Sequence, residues 1–309
     1  MIPVLLPRLI LAAVVAATLA LGTLATAVPA GAGMGRIIDF EESMAHCETA
    51  QLMGPDAYST SHVTGPAPKV SLDALVLVDV AKGVQIARMV DEEQRAAAEK
   101  ALYDSVAQKL AVGKQSYEGL DIDLRYDDFG LLQPLNADGL LCARTTNAQE
   151  IINLAKTQLG GGRLAGIDVV YVVTDIDIQL PSLGNAVAGL ADCIGGVAHA
   201  DRAFAVGEMG VLVADEGGIK IGPIAFYKDL TAKIAAHEIG HLMGGHHHYQ
   251  ECGTAATVAV GRGELGPCTL MTNAVDFQTL PFSNLNGLIV RGHAEEYAKA
   301  NDAQGGETH

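Results

Sequence analysis

The chain has 309 residues, 49% of them apolar and 18% charged, enough for one large domain or two small ones around a real core. Its formal charge of −16 argues against a nucleic-acid partner, which would need clustered Lys and Arg. An acidic surface brings solubility and some attraction for cations.

Residues 1–30 read as a secretory signal peptide. Arg8 precedes a long Ala- and Leu-rich run that ends in small residues at Ala25-Thr26-Ala27 and Val28-Pro29-Ala30. The competing reading is an uncleaved membrane anchor, because Leu9 to Val28 is nearly long enough to span a bilayer. The small-x-small ends and the Pro and Gly that follow favour cleavage. The expected localisation is therefore secreted, with no membrane association once the signal is removed. Residues 31–69 read as a short pro-like region and linker, ending in a Gly/Pro/Ser-rich run from Ser59 to Lys69.

Ordered patterns follow. Leu75 to Val80 is a β-branched apolar run and predicts a strand. Val90 to Leu110 predicts a helix, with Leu102, Val106 and Leu110 four apart on one face. Leu120 to Tyr126 alternates, with Leu120, Ile122, Leu124 and Tyr126 on one side and Asp121, Asp123 and Arg125 on the other. That is a half-buried strand, and a solvated face explains its acids better than a calcium site. Asn147 caps a helix with Glu150 in the capping-box position and Gly160 near its end. Asp168 to Thr174 is continuously apolar in its middle and predicts a strand buried on both faces. Ala203 to Val213 offers one more strand. A helix starting at Asp229 or Thr231 runs to about Leu242, and Gly244 and Gly245 end it. Strands alternating with helices imply an α/β domain with a largely parallel sheet.

The chemistry concentrates in AAHEIGHLMGGHHHYQ, Ala235 to Gln250. His237 and His241 lie four apart on a helix, so both imidazoles project from one face and can share a Zn²⁺. Glu238 between them can reach a water at the metal without itself ligating. This is the HExxH pattern of zinc hydrolases. Gly244 can take φ > 0 and turn the chain back, so that His247 becomes the third ligand. A loosely chelating histidine tract would explain neither Glu238 nor Gly244.

The string from His237 to His247, HExxHxxGxxH, resembles that of the metzincin zinc endopeptidases. CysThrLeuMetThrAsn places Met271 where those enzymes carry a methionine turn beneath the zinc, and it is similar to the turn of the reprolysin-like (adamalysin-type) branch. ProPheSerAsnLeuAsn, Pro281 to Asn286, and the helical pattern through Tyr297 are similar to the segment closing that domain. The resemblance implies a metzincin-type zincin domain over residues 70–300, followed by a polar tail at 301–309. That domain would have a mixed, mostly parallel twisted sheet, an active-site helix and a smaller C-terminal subdomain. It further implies one catalytic Zn²⁺ on His237, His241 and His247, Glu238 as catalytic base, and Met271 as support. Peptide substrates would lie extended along an edge strand, expected near Ala203 to Val206. Three departures bear on the branch. His248 stands where an Asp usually follows the third histidine, the usual Pro after the turn Met is missing, and no Tyr follows Met271 closely. His246 and His248 are read as spare, and His199 and His293 as surface or local hydrogen-bonding residues. Calcium has no loop motif here.

Export would let the five cysteines form disulfides. Cys252 and Cys268 flank one loop after the histidines and are paired. Cys142 with Cys193 follows by elimination. That leaves Cys47, beside His46 in the pro-like region. Its thiolate could occupy the open zinc position and hold the enzyme latent, or it could stay unpaired or bond another chain. Two other readings stay open. One is a zinc peptidase whose third ligand is Glu264. The other is a secreted zinc-binding or adhesion module that keeps the fold and hydrolyses nothing.

Overall fold

The computed structural model describes residues 45–47, 68–133, 143–181, 185–210, 212–214, 227–247, 269–272 and 280–305. The chain divides into Met1–Gly35 and Arg36–His309, and everything below concerns the second unit. The signal peptide, most of the pro-like region, Cys142, Cys252, Cys268, Glu264 and His248 lie outside the described residues.

A five-stranded sheet organises the domain. Its strands are β2 (Val70–Asp79), β3 (Ile122–Leu131), β4 (Val169–Thr174), β7 (Gly189–Ala191) and β9 (Phe204–Glu208), while β1 (Ala45–His46) pairs with β8 (Cys193–Ile194), β5 (Gln179–Leu180) with β6 (Asn185–Ala186) and β10 (Leu212–Ala214) with β11 (Tyr227–Asp229) in short two-stranded sheets. The five lie side by side in the order β3-β2-β4-β9-β7. The first four run parallel and β7 runs antiparallel to β9. The fold is thus α/β with a mixed, mostly parallel sheet. β2 and β4 read as continuous apolar runs because helices cover both faces of the sheet. Helix α5 (Thr231–Leu242) packs on the face that carries Tyr171 and Gly207, where Ile234 meets Gly207. Helix α4 (Ala148–Gln158) packs on the other face, with Lys156 Nζ 5.7 Å from the centre of the Phe204 ring.

Local signals account for most boundaries. Asp91 caps α2 (Glu92–Leu110) by accepting from Gln94 N, and Leu102, Val106 and Leu110 are its buried residues. An unforeseen short helix, α1 (Ala81–Ala87), precedes it, and α3 (Lys114–Glu118) follows. Asn147 caps α4 by accepting from Gln149 N and Glu150 N. Glu150 does not close the expected capping box. Its carboxylate takes the Thr145 hydroxyl, and that hydroxyl's oxygen accepts from Asn147 N. At the other end Gly160, at φ 78°, turns the chain, and Gly161 N donates to Lys156 O. The alternation in β3 survives a bulge, since Asp73 pairs with Arg125 but Leu75 pairs with Asp128. Its polar face is answered by an ion pair, Arg125 Nε to Asp73 Oδ1 at 2.7 Å.

Ala203 to Val206 is not the edge expected for substrate. β9 lies between β4 and β7, so among the described residues the outer strand on this side is Gly189–Ala191. The sequence hides this because β7 is only three residues of Gly, Leu and Ala, with no β-branched signal.

The last helix, α6 (Asn284–Gly305), runs five residues into the stretch expected as a polar tail. Arg291 fastens it to the start of the sheet. This buried guanidinium donates to Pro68 O, Leu120 O and Asp121 O and pairs with Glu295. No helix among the described residues is long and apolar enough to cross a membrane.

Candidate metal centre

Helix α5 is anchored at its start by Asp229, whose Oδ1 accepts from Thr231 N at 2.9 Å. Burial tends to raise the Asp229 pKa, but bonds from Lys109 and Thr231 outweigh it and hold the carboxyl below its usual range. At the other end the helix stops at Gly244, φ 81°. Gly244 N donates to His241 O and Gly245 N to Gly240 O, the paired bonds of a Schellman ending. A Cβ on Gly244 would also run into the His293 ring. Backbone sign and space both demand glycine there.

The turn returns His247 to the helix face that bears His237 and His241. The ring nitrogens of the three histidines all lie within 4.8 Å of one another, the one such grouping among the described residues. His237 and His241 are fully buried and His247 is half-buried. Nδ1 of His237 stands 2.7 Å from Leu270 O, and Nδ1 of His241 stands 2.7 Å from Gly245 O. A carbonyl oxygen only accepts, so both Nδ1 atoms carry the proton. Both Nε2 atoms therefore present lone pairs, and they face each other at 3.0 Å. His247 Nε2 stands 3.3 Å from His237 Nε2. Bare lone pairs at that distance repel. Two nitrogens bound tetrahedrally to one zinc at about 2.0–2.1 Å stand roughly 3.3–3.4 Å apart. The donor set, its tautomers and its spacing fit a zinc ion.

Three elements hold this arrangement. The first is the turn around Met271. Leu270 supplies the carbonyl for His237, while Met271 Sδ lies 2.8 Å from where a Cβ on Gly240 would stand and Cε lies 3.3 Å from that of Gly245. Met271 thus fills the space both glycines leave under the end of the helix. The second is α6, where Asn286 grips His246 twice. His246 N donates to Asn286 Oδ1 at 2.9 Å, and Asn286 Nδ2 donates to His246 O at 2.8 Å. The third is the segment after β7, where Gly195 N donates to His241 O at 2.9 Å.

Glu238 is fully buried on α5, and its carboxylate stands against Gly189 of β7. Any Cβ at Gly189 would collide with Oε1, so this close approach of helix and outer strand requires glycine. Behind Glu238 lie Tyr117 and Tyr171. Burial first, then Tyr126 and Glu238, pushes the Tyr117 phenol well up. For Tyr171 the order is burial, then Glu238. Tyr117 OH donates to Ala236 O at 2.8 Å, whereas the hydroxyls of Tyr126 and Tyr171 are buried without a partner. Burial, then His246, lowers the His293 pKa to about 4.

Residues 141–248 match the family described as Metallo-peptidase family M12B Reprolysin-like, a stretch that ends just past His247. The chain resembles a reprolysin-like metzincin. Among solved structures it is similar to archaemetzincin from Methanopyrus kandleri, at 18% identity over 74% of this chain and 99% of that one, TM-score 0.40. It is also similar to a zinc-dependent peptidase from Methanocorpusculum labreanum, at 16% identity over 70% and 99%, TM-score 0.33. No curated protein matches the chain.

The cysteines depart from expectation. Cys193 is bonded to Cys47, not to Cys142. The pairing follows from backbone geometry. Strand β1 (Ala45–His46) lies parallel to β8 (Cys193–Ile194) with Ala45 opposite Cys193, and Cys47 N donates to Ile194 O at 3.0 Å. A sulfur in this bond has no thiolate to give a metal, so the latency role expected for Cys47 falls. His199 is a hydrogen-bonding residue, but its partner is distant in sequence, its Nε2 standing 2.9 Å from Cys47 O. His293 is buried rather than on the surface.

The sequence reading missed Asn286, His293, Gly189 and Tyr117. Asn286 stood in the quoted ProPheSerAsnLeuAsn, but nothing in that string says that its amide reads a backbone forty residues upstream.

Proposed function

We propose that the chain is a secreted zinc-dependent endopeptidase. The observation that carries the reading is the convergence of His237, His241 and His247, with proton positions fixed by Leu270 O and Gly245 O, beside a buried Glu238 on the same helix. The reprolysin-like match over residues 141–248 supports it.

A zinc ion on the three imidazoles would supply a Lewis acid toward the peptide carbonyl and lower the pKa of a water. The residues of the chain do the rest. Glu238 accepts the proton of the attacking water and passes it to the leaving nitrogen. Gly189 keeps the outer strand close, so that the carboxylate works from a dry interior where its charge acts strongly. The substrate lies extended along the side of β7 that has no partner strand among the described residues and adds itself as a strand. Secretion rests on the N-terminal apolar run with its small-x-small ends.

The test compares residues 31–309 with their Glu238→Gln variant for zinc content and cleavage of a mixed peptide library. The fragment keeps Cys47, whose bond to Cys193 belongs to the fold. One zinc in both with cleavage only by the parent establishes the mechanism. One zinc in both and no cleavage by either returns the binding module. No stoichiometric zinc overturns the metal centre.

A further inference from the structure

We propose that the N-terminal strand Ala45–His46 is a lasting part of the metal-binding domain, and that Cys47, through its bond to Cys193, is a positioning residue for the metal ligand His241. The proposal rests on the zinc reading of the three histidines and not on peptide cleavage.

Residues 192–196 form a short bridge between the outer strand β7 and the end of the metal helix. Its first residue is fixed. Asp192 N donates to Phe204 O at 2.8 Å, and the buried carboxylate pairs with Lys156 at 2.9 Å and with Arg202. At the far end Gly195, at φ 78°, donates its N–H to His241 O at 2.9 Å. Gly244 N donates to the same oxygen at 2.9 Å, in the turn that brings back His247. One carbonyl thus joins the bridge to the helix ending, and a shift of Gly195 reaches two ligands. A Cβ on Gly196 would meet Arg202 O and stand 3.1 Å from Leu242 Cδ2, so the bridge lies directly against the helix.

Cys47 holds the middle of this bridge. Ala45 stands opposite Cys193 and His46 opposite Ile194. Cys47 N donates to Ile194 O at 3.0 Å, and that oxygen belongs to the same peptide group as Gly195 N. A trans peptide points its C=O and N–H in opposite directions. Cys47 therefore grips one side of the group while the other side grips His241, and hydrogen bonds in such a chain polarise one another. His199 Nε2 donates to Cys47 O at 2.9 Å, and His199 N donates to Gly196 O at 2.9 Å. These bonds bracket Gly195. A pairing of two residues is too short to hold itself. The disulfide, which joins residues 146 apart in sequence, keeps Cys47 N at the Ile194 carbonyl.

The test inserts a site-specific protease sequence between Thr64 and Gly65 of the full chain, in the Gly/Pro/Ser-rich run. It compares the parent with a Cys47→Ala/Cys193→Ala variant, each uncut and cut. Competition with a chromophoric chelator gives the zinc affinity, the cobalt(II) visible spectrum gives ligand geometry, and circular dichroism shows that each form is folded. Cutting the parent should leave the pieces joined on a non-reducing gel and change the affinity less than about twofold, because the bond still holds β1. The uncut variant should bind zinc about three- to tenfold more weakly, since only the linker then keeps the strand near. Cut, it should lose the strand and weaken about 10- to 100-fold, as when a group that holds a metal ligand is removed. Its cobalt spectrum should change as well. The uncut variant carries the test if the cut one unfolds. A bond that served the fold alone would lower the urea midpoint but leave the zinc affinity and cobalt spectrum of the folded variant at the parent's, and that result overturns the proposal. So does loss of zinc on cutting the parent. No stoichiometric zinc in the uncut parent overturns the metal centre and the proposal with it, whereas equal affinity in all four forms overturns the proposal alone.

Discussion

Asn286 is the side chain through which the C-terminal helix holds the turn carrying His247, the proposed third metal ligand, and its removal should be felt in metal binding. Asn286→Ala deletes the acceptor for His246 N and the donor to His246 O, bonds of 2.9 and 2.8 Å. Each such bond contributes about 0.5–1.5 kcal/mol net, and a buried group left unpaired costs about 1–3 kcal/mol. His246 is half-buried, so water can replace part of what is lost, and roughly 1–2 kcal/mol is expected on the loop. His247 is the next residue, so the loss appears as freedom of a ligand before binding. Substitutions one shell beyond a metal typically weaken it about 10- to 100-fold. Competition with a chromophoric chelator measures the zinc affinity, and the cobalt(II) visible spectrum reports ligand geometry. Asn286→Asp keeps the acceptor but opposes an anion to His246 O, so it should not rescue. Zinc affinity within twofold of the parent in both variants would refute the reasoning, because the grip on His246 would then be packing alone.

Three further outcomes follow from the interior. Tyr171→Phe removes a buried hydroxyl that has no partner, so stability should hold or rise by up to about 1 kcal/mol, whereas Tyr117→Phe loses the bond to Ala236 O and should cost about 1 kcal/mol; urea unfolding of the two variants separates them. His293, with its pKa near 4 when folded and its ordinary value of 6.5 when unfolded, binds fewer protons in the native state between those values. The metal-free protein should therefore lose stability as pH falls from about 6.5 to 4, by about 3 kcal/mol from this group, and a His293→Asn variant should show a flatter profile over that window. Gly189→Ala drives a methyl into the Glu238 carboxylate; peptide cleavage should fall at least about tenfold while zinc content stays at the parent level, and undiminished cleavage would separate Glu238 from the outer strand.

Much of the site was legible because its determinants are local. Spacing on one helix puts His237 and His241 on one face, and a glycine with positive φ explains how His247 joins them. The apolar runs in β2 and β4 and the cap at Asn147 are likewise properties of neighbouring residues. What escaped depends on contacts made across the fold. The outer strand is too short and too small to signal itself, so its place was given to β9. The bond between Cys47 and Cys193 spans 146 residues and follows from a two-residue strand pairing that no periodicity reveals. Glu150 sat where a capping box needs it, yet Thr145 offered a nearer partner.

The grip of α6 on the metal loop sets an order of assembly. His237, His241 and His247 leave the ribosome well before Asn286 and His293. Until α6 forms and docks through Arg291, His246 lacks the two bonds from Asn286, and the His293 ring is not yet packed against Gly244. A growing chain should therefore fix His247 fully only once α6 has docked, and tight metal capture should wait for that helix.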